Sequence, residues 1–145
     1  MRFTRLLAAS AVVSALLLCQ SGTGPAVISN LADAKWTRQA RDPAGVESVV
    51  LRDDPRTGGL ELLARYPAGH VFAPHWHNAN ERILLIEGRL SLRHGEQAEA
   101  FLDPGGFAYL PAREMQRLAC VSETRCTFYV CWDGEPASHR EPVTK

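Results

Sequence analysis

From Val46 onward the chain breaks into short alternating apolar runs separated by clusters of Pro, Gly and Asp. Val46 to Leu51 meets Asp53-Asp54-Pro55 and Gly58-Gly59, and Leu60 to Tyr66 meets Pro67-Ala68-Gly69. Arg82 to Glu87 ends at Gly88, Arg89 to Arg93 at His94-Gly95, and Ala98 to Leu102 at Asp103-Pro104-Gly105-Gly106. Phe107 to Leu110 ends at Pro111. Gln116 to Val121 and Arg125 to Trp132 are expected to form the last hairpin. About eight short strands and no long helix imply an all-β barrel or jelly roll, which hides its sheet edges by closing on itself.

With 145 residues there is one core to build and no room for a second domain of ordinary size. Residues 27–145 are therefore expected to be one domain, with its core at about 46–132 and a C-terminal tail from Gly134 that frays. The segment Val27 to Arg41, with Trp36 as its large aromatic, is expected to be an edge strand or an extended arm.

Residues 1–26 stand outside the fold argument. Arg2 and Arg5 precede an apolar run from Leu6 to Leu18, shorter than the about 20 residues a membrane span needs. This is the pattern of a signal peptide, with Ala26 as a cleavage point, so a secreted or periplasmic protein with no membrane contact after cleavage is expected. Lipid attachment at Cys19 is disfavoured, because a lipobox has a small residue where Leu18 stands. Three cysteines remain. Cys120 and Cys126 flank the polar segment 121–125, and a hairpin turning at Glu123 would bring them close enough to bridge. Three buried thiols are the alternative.

Sixteen Lys and Arg balance sixteen Asp and Glu, so no net field steers nucleic acid, and a small molecule is the expected partner. The chemistry concentrates in Gly69-His70-Val71-Phe72-Ala73-Pro74-His75-Trp76-His77-Asn78-Ala79-Asn80-Glu81. His75 and His77 are two apart, so on a strand both imidazoles leave from one face. Glu81 joins them if the chain bends at Asn78-Ala79-Asn80 and returns. Two imidazoles and a carboxylate form a donor set suited to Fe, Mn, Ni, Cu or Zn. Glu81, Ile83 and Leu85 continue one inward face, and burying the three polar groups there would be costly unless a cation satisfied them.

That run, closing at Gly88, resembles the first motif of the cupin superfamily, with every fixed position present. The second cupin motif is similar to Gly105 through Gln116, where Gly105 and Pro111 fit. Two positions depart: Arg113 stands where the motif has Gly, and Gln116 where it has the fourth ligand, His. The resemblance covers about Leu60 to Trp132 and is closest to small secreted single-domain bacterial cupins. It implies a double-stranded β-helix jelly roll holding one divalent metal ion on His75, His77, Glu81 and Gln116, and a possible homodimer. Gln116 can ligate through its amide oxygen or serve as a hydrogen-bonding pocket residue.

Two functional expectations follow. One is a metal-dependent, dioxygenase-like oxidoreductase acting on a small chelating substrate, with Glu81 as the group able to shuttle a proton. The other is a non-catalytic binder of a sugar or organic acid. His70, His94 and His139 are expected to be solvated, Trp76 to pack on the face opposite the histidines, and Tyr109 and Met115 are candidates for the pocket wall.

Overall fold

The computed structural model describes residues 25–38 and 45–140. The signal-peptide pattern through Gly24, with Cys19, lies outside the described residues, as does the end of the tail beyond Arg140. Ten strands follow one 3-10 turn at Leu31–Asp33: β1 (Glu47–Asp54), β2 (Gly59–Tyr66), β3 (Trp76–His77), β4 (Glu81–Glu87), β5 (Leu90–His94), β6 (Ala100–Leu102), β7 (Phe107–Leu110), β8 (Gln116–Cys120), β9 (Cys126–Trp132) and β10 (Ser138–His139). The eight longer strands match the runs marked by turn chemistry in the sequence. The two shortest, β3 and β10, carry no such mark.

The strands form two facing sheets and a small clasp. A five-stranded sheet runs β1-β2-β9-β4-β7, a three-stranded sheet runs β6-β5-β8, and β10 pairs with β3. All pairings are antiparallel. Inward residues of the larger sheet, Ile83, Leu85, Phe128 and Val130, meet Leu90, Leu92, Leu118 and Cys120 of the smaller one in a single core. Each fully buried Leu or Ile contributes roughly 1.5–3 kcal/mol, so this jelly-roll interior is the main source of stability.

The expected last hairpin does not form as a ladder. β8 pairs with β5 and β9 with β2 and β4, so the chain crosses from one sheet to the other at 121–125. Both strands alternate inward residues toward the same core, and each must join a different sheet to bury them. Cys120 and Cys126 form a disulfide, with Cα atoms 5.8 Å apart, and it staples the two sheets rather than two strands of one hairpin. Cys131 is free.

The N-terminal segment is an extended arm. Thr37 makes a bridge to Ser48 at the β1 edge, and the Arg65 guanidinium lies 3.7 Å from the centre of the Trp36 ring. At the other end the tail does not fray through residue 140. Ser138–His139 pairs with Trp76–His77, and the His139 ring stacks on Trp76 at 4.0 Å. This stacking gives Trp76 the packing role its strand parity implied, and it takes His139 out of free solvent.

Candidate metal centre

Three local devices bring the chemically distinctive residues together. At Gly69 the chain turns with φ of 71° and enters the segment that runs beside β8. There the His75 and Gln116 backbones exchange both hydrogen bonds, at 3.2 and 2.8 Å, which sets a first-motif residue against a second-motif residue. Asn80 then fixes the bend. Its backbone N–H and side-chain amide donate to Asp133 at 3.0 and 2.8 Å, and its Oδ1 accepts from the Ala112 N–H at 3.0 Å. The returning strand β4 puts Glu81 on the inward face, above Ile83 and Leu85.

His75, His77, Glu81 and Gln116 therefore converge inside one end of the barrel. The Gln116 side-chain nitrogen donates to Glu81 Oε2 at 2.6 Å and to His75 Nε2 at 3.1 Å. His77 Nε2 stands 3.7 Å from Glu81 Oε2, and the two imidazole centres are 4.9 Å apart. His77, Glu81 and Gln116 are buried, whereas His75 is partly open to solvent. The amide of Gln116 occupies the position between His75 and the carboxylate. Accordingly, among the described residues no three His, Cys, Asp or Glu side chains form a metal cage as placed.

The imidazoles are oriented from behind. His75 Nδ1 lies 2.8 Å from the Ala73 carbonyl oxygen, and His77 Nδ1 lies 3.2 Å from that of Pro136. A carbonyl only accepts, so each Nδ1 carries the proton and each Nε2 presents a lone pair inward. Fixing the tautomer through the outer nitrogen is how proteins aim histidine at a metal.

Electrostatics follows from burial. Burial drives His77 down to about 4, helped by the neighbouring His75, and lowers His75 as well. Both are neutral at pH 7. Burial pushes Glu81 up to about 7, and the hydrogen bond from Gln116 only partly opposes it. A carboxyl that shares its pocket with two neutral imidazoles lacks the positive charge that would favour ionisation. A cation would supply that charge, so this donor set fits one.

Several neighbours were not legible beforehand. The tail provides Pro136 O and Ser138 Oγ to His77, although tail residues were expected to be solvated. Trp132 stands edge-on to His77 at 5.4 Å. His94 is buried rather than solvated, with Nε2 3.1 Å from Pro111 O and Nδ1 3.4 Å from the Glu114 carboxylate. Its parity on β5 points it inward with Leu90 and Leu92. His70 packs between Tyr66 and Phe72 instead of facing water. Tyr109 does not line the pocket. It pairs with Arg82 on the outer face of β4 and β7, where Arg82 lies 5.2 Å over its ring. Arg113, at the position where the second motif has Gly, holds φ of 63°, and its N–H donates to the His77 carbonyl at 2.9 Å.

Comparison with known proteins agrees with this architecture. No curated protein matches the chain. The cupin domain of Cnp3 from Schizosaccharomyces pombe superposes with a TM-score of 0.64 at 10% identity, covering 74% of each chain. KdgF from a Halomonas species gives 0.60 at 16% identity over 77% of this chain and 94% of that one. The DMSP lyase DddQ from Ruegeria pomeroyi gives 0.61 at 17% identity over 85% of this chain and 75% of that one. At such identities the likeness establishes the fold alone. The ChrR cupin-like domain family matches residues 25–133, nearly the whole described chain, and with the jelly-roll architecture this places the protein in that family of the cupin superfamily.

Proposed function

We propose that this chain is a metal-dependent cupin enzyme of the oxygenase type, in which one divalent ion is held by His75, His77, Glu81 and Gln116 and a small chelating substrate binds beside it. One observation carries the reading: both histidines have their outer nitrogens tied to backbone carbonyls, which turns two Nε2 lone pairs toward a buried carboxyl, with the Gln116 amide donating to the one on His75. A bound Fe, Mn, Ni, Cu or Zn ion would supply Lewis acidity and, if redox-active, dioxygen chemistry.

The protein's own contribution is orientation and proton control. His75 and His77 stay neutral and need lose no proton to ligate. Glu81, poised at about 7, is the group that can release a proton on binding or exchange one with a substrate at Oε2. Gln116 would join through its amide oxygen after a half-turn of its amide group. The clasp of β3 and β10 shields the His77 side from water, so a substrate approaches past the partly open His75. Two structural neighbours, a DMSP lyase and the oxalate decarboxylase of Lactobacillus farciminis, are enzymes of small organic molecules, which supports a small-molecule substrate here. The leader pattern and the Cys120–Cys126 disulfide support action outside the cytoplasm.

A second reading, non-catalytic capture of a small molecule, is favoured by the hold of Gln116 on both His75 and Glu81, which satisfies these groups without an ion. Metal analysis of the purified protein beside His75→Ala and Glu81→Ala tests the centre. The parent is expected to hold one ion and the variants to lose it; equal content in all three ends the metal reading. Oxygen uptake by iron-loaded protein with a panel of enols, phenols and organic acids then separates the two readings. Turnover supports the enzyme, and silence across the panel supports the binder.

A further inference from the structure

On the outer face of the three-stranded sheet, away from the histidine cluster, Arg93 of β5 and Arg117 of β8 stand directly opposite one another in register. Like charges in that position repel. Among the described residues neither guanidinium has an ion pair or a side-chain hydrogen bond. Both line a cleft of about 350 Å³ whose other wall is the chain segment that carries Val71 and Pro74. Val71 is 72% exposed in that wall. The carboxylate lining the cleft is that of Glu99, and it accepts a hydrogen bond from the buried Ser91 hydroxyl. Two cations and one engaged anion leave the cleft positive.

We infer that this cleft is a binding site for a small organic anion, a carboxylate with a short apolar body. The carboxylate would bridge Arg93 and Arg117, which removes their mutual repulsion, and the apolar body would lie against Val71 and Pro74. Guanidinium suits this role because its planar donors match a carboxylate. The cleft volume falls in the range of small-ligand sites. Glu99 opposes the ligand's charge and so limits affinity. The inference does not depend on the metal reading, because the cleft lies outside the barrel and shares no side chain with the cluster of His75, His77, Glu81 and Gln116.

The test is calorimetric titration of the full chain with sodium benzoate, alongside amide NMR shifts. Benzoate is expected to bind with a dissociation constant on the order of 1 mM, as befits a ligand of this size. Arg93→Ala and Arg117→Ala should each weaken it about tenfold, the worth of one charge-assisted hydrogen bond. Glu99→Gln should tighten it, and inorganic phosphate should bind more weakly than benzoate because it lacks the apolar body. The shifts should centre on Ser91, Arg93, Arg117 and Ala119. Glu81→Gln, which alters only the barrel interior, should leave binding unchanged. Loss of benzoate binding in Glu81→Gln with full retention in both arginine variants would assign the anion to the histidine cluster and overturn the cleft. Absence of saturable binding, or phosphate binding as tightly as benzoate, would overturn it too.

Discussion

Arg113 occupies the left-handed region with φ of 63°, where an L side chain is strained and glycine is not. Its backbone N–H holds the His77 carbonyl, so the turn cannot relax without loosening the strand that carries His77. Arg113→Gly is therefore expected to stabilise the protein by about 0.5–1 kcal/mol, the relieved strain being partly offset by a more flexible unfolded chain. Urea denaturation checks this; an unchanged or lower midpoint would mean that the arginine side chain has a compensating contact. Glu81 sets a second expectation at this scale. Ligation requires its carboxylate, and its proton leaves at about pH 7, so apparent metal affinity should fall about tenfold per pH unit below 7 and level off above pH 8. His77, held at about 4, adds no competing proton over that range. Metal titrations should thus report about one proton displaced from Glu81 per ion at pH 5 and 6, and almost none at pH 8, where the carboxylate is already ionised. The metal-free protein behaves differently. Glu81, raised from 4.5, gives stability that is full below pH 4.5 and lost as pH rises through about 7. His77, lowered from 6.5, gives stability present above pH 6.5 and lost as pH falls through about 4. Between 4.5 and 6.5 the two slopes oppose one another and largely cancel.

Strand β10 shows what a two-residue element can do. Its pairing with β3 keeps Pro136 O and Ser138 Oγ on His77 Nδ1, and the His139 ring on Trp76 covers the outside of the same strand. A chain ending at Glu135 retains every strand of the two main sheets and should fold. It should bind the ion about tenfold more weakly, the usual effect of removing the partner that orients a ligating histidine. Retained affinity in that truncation would show that the Pro136 carbonyl does not orient His77. The longer strands were readable because β4, β7 and β8 alternate between core and solvent and all but β8 end beside Gly, Pro or Asp. Glu81, Ile83 and Leu85 show this well, all nearly fully buried on one side of β4. β10 was not readable. Its role is a backbone pairing and a backbone carbonyl, which any sequence can supply, and the partner lies 59 residues away. The assignment of β8 and β9 failed for a related reason. Cysteines flanking a polar turn fit a hairpin and a sheet-to-sheet crossing equally well, and only the pairing of β9 with β2 and β4 separates the two.

Across the whole molecule, the groups that build and orient the histidine cluster come from three parts of the chain: the first-motif bend, the start of β8 and the tail. Only the first was legible as chemistry from spacing alone. Gln116 was found by where a second motif should place a ligand, and the tail by nothing in its composition. This distribution has a thermodynamic consequence. An ion held jointly by His75 and His77 on one segment, Glu81 on the larger sheet and Gln116 on the smaller would bind the folded barrel and not the unfolded chain. At a free concentration about 100 times its dissociation constant it should add about 2.7 kcal/mol, which for a domain of this size raises the melting temperature by about 10 °C or more. A chelator should reverse the rise. Glu81→Gln keeps the shape of the side chain and removes the carboxylate, so it should melt at nearly the same temperature with and without the ion. In that variant no proton need leave a buried carboxyl, and the metal-free form should lose the fall in stability that the parent shows as pH approaches 7. An equal rise in the parent and in Glu81→Gln would place the ion elsewhere on the surface and leave the buried cluster as a hydrogen-bonded plug.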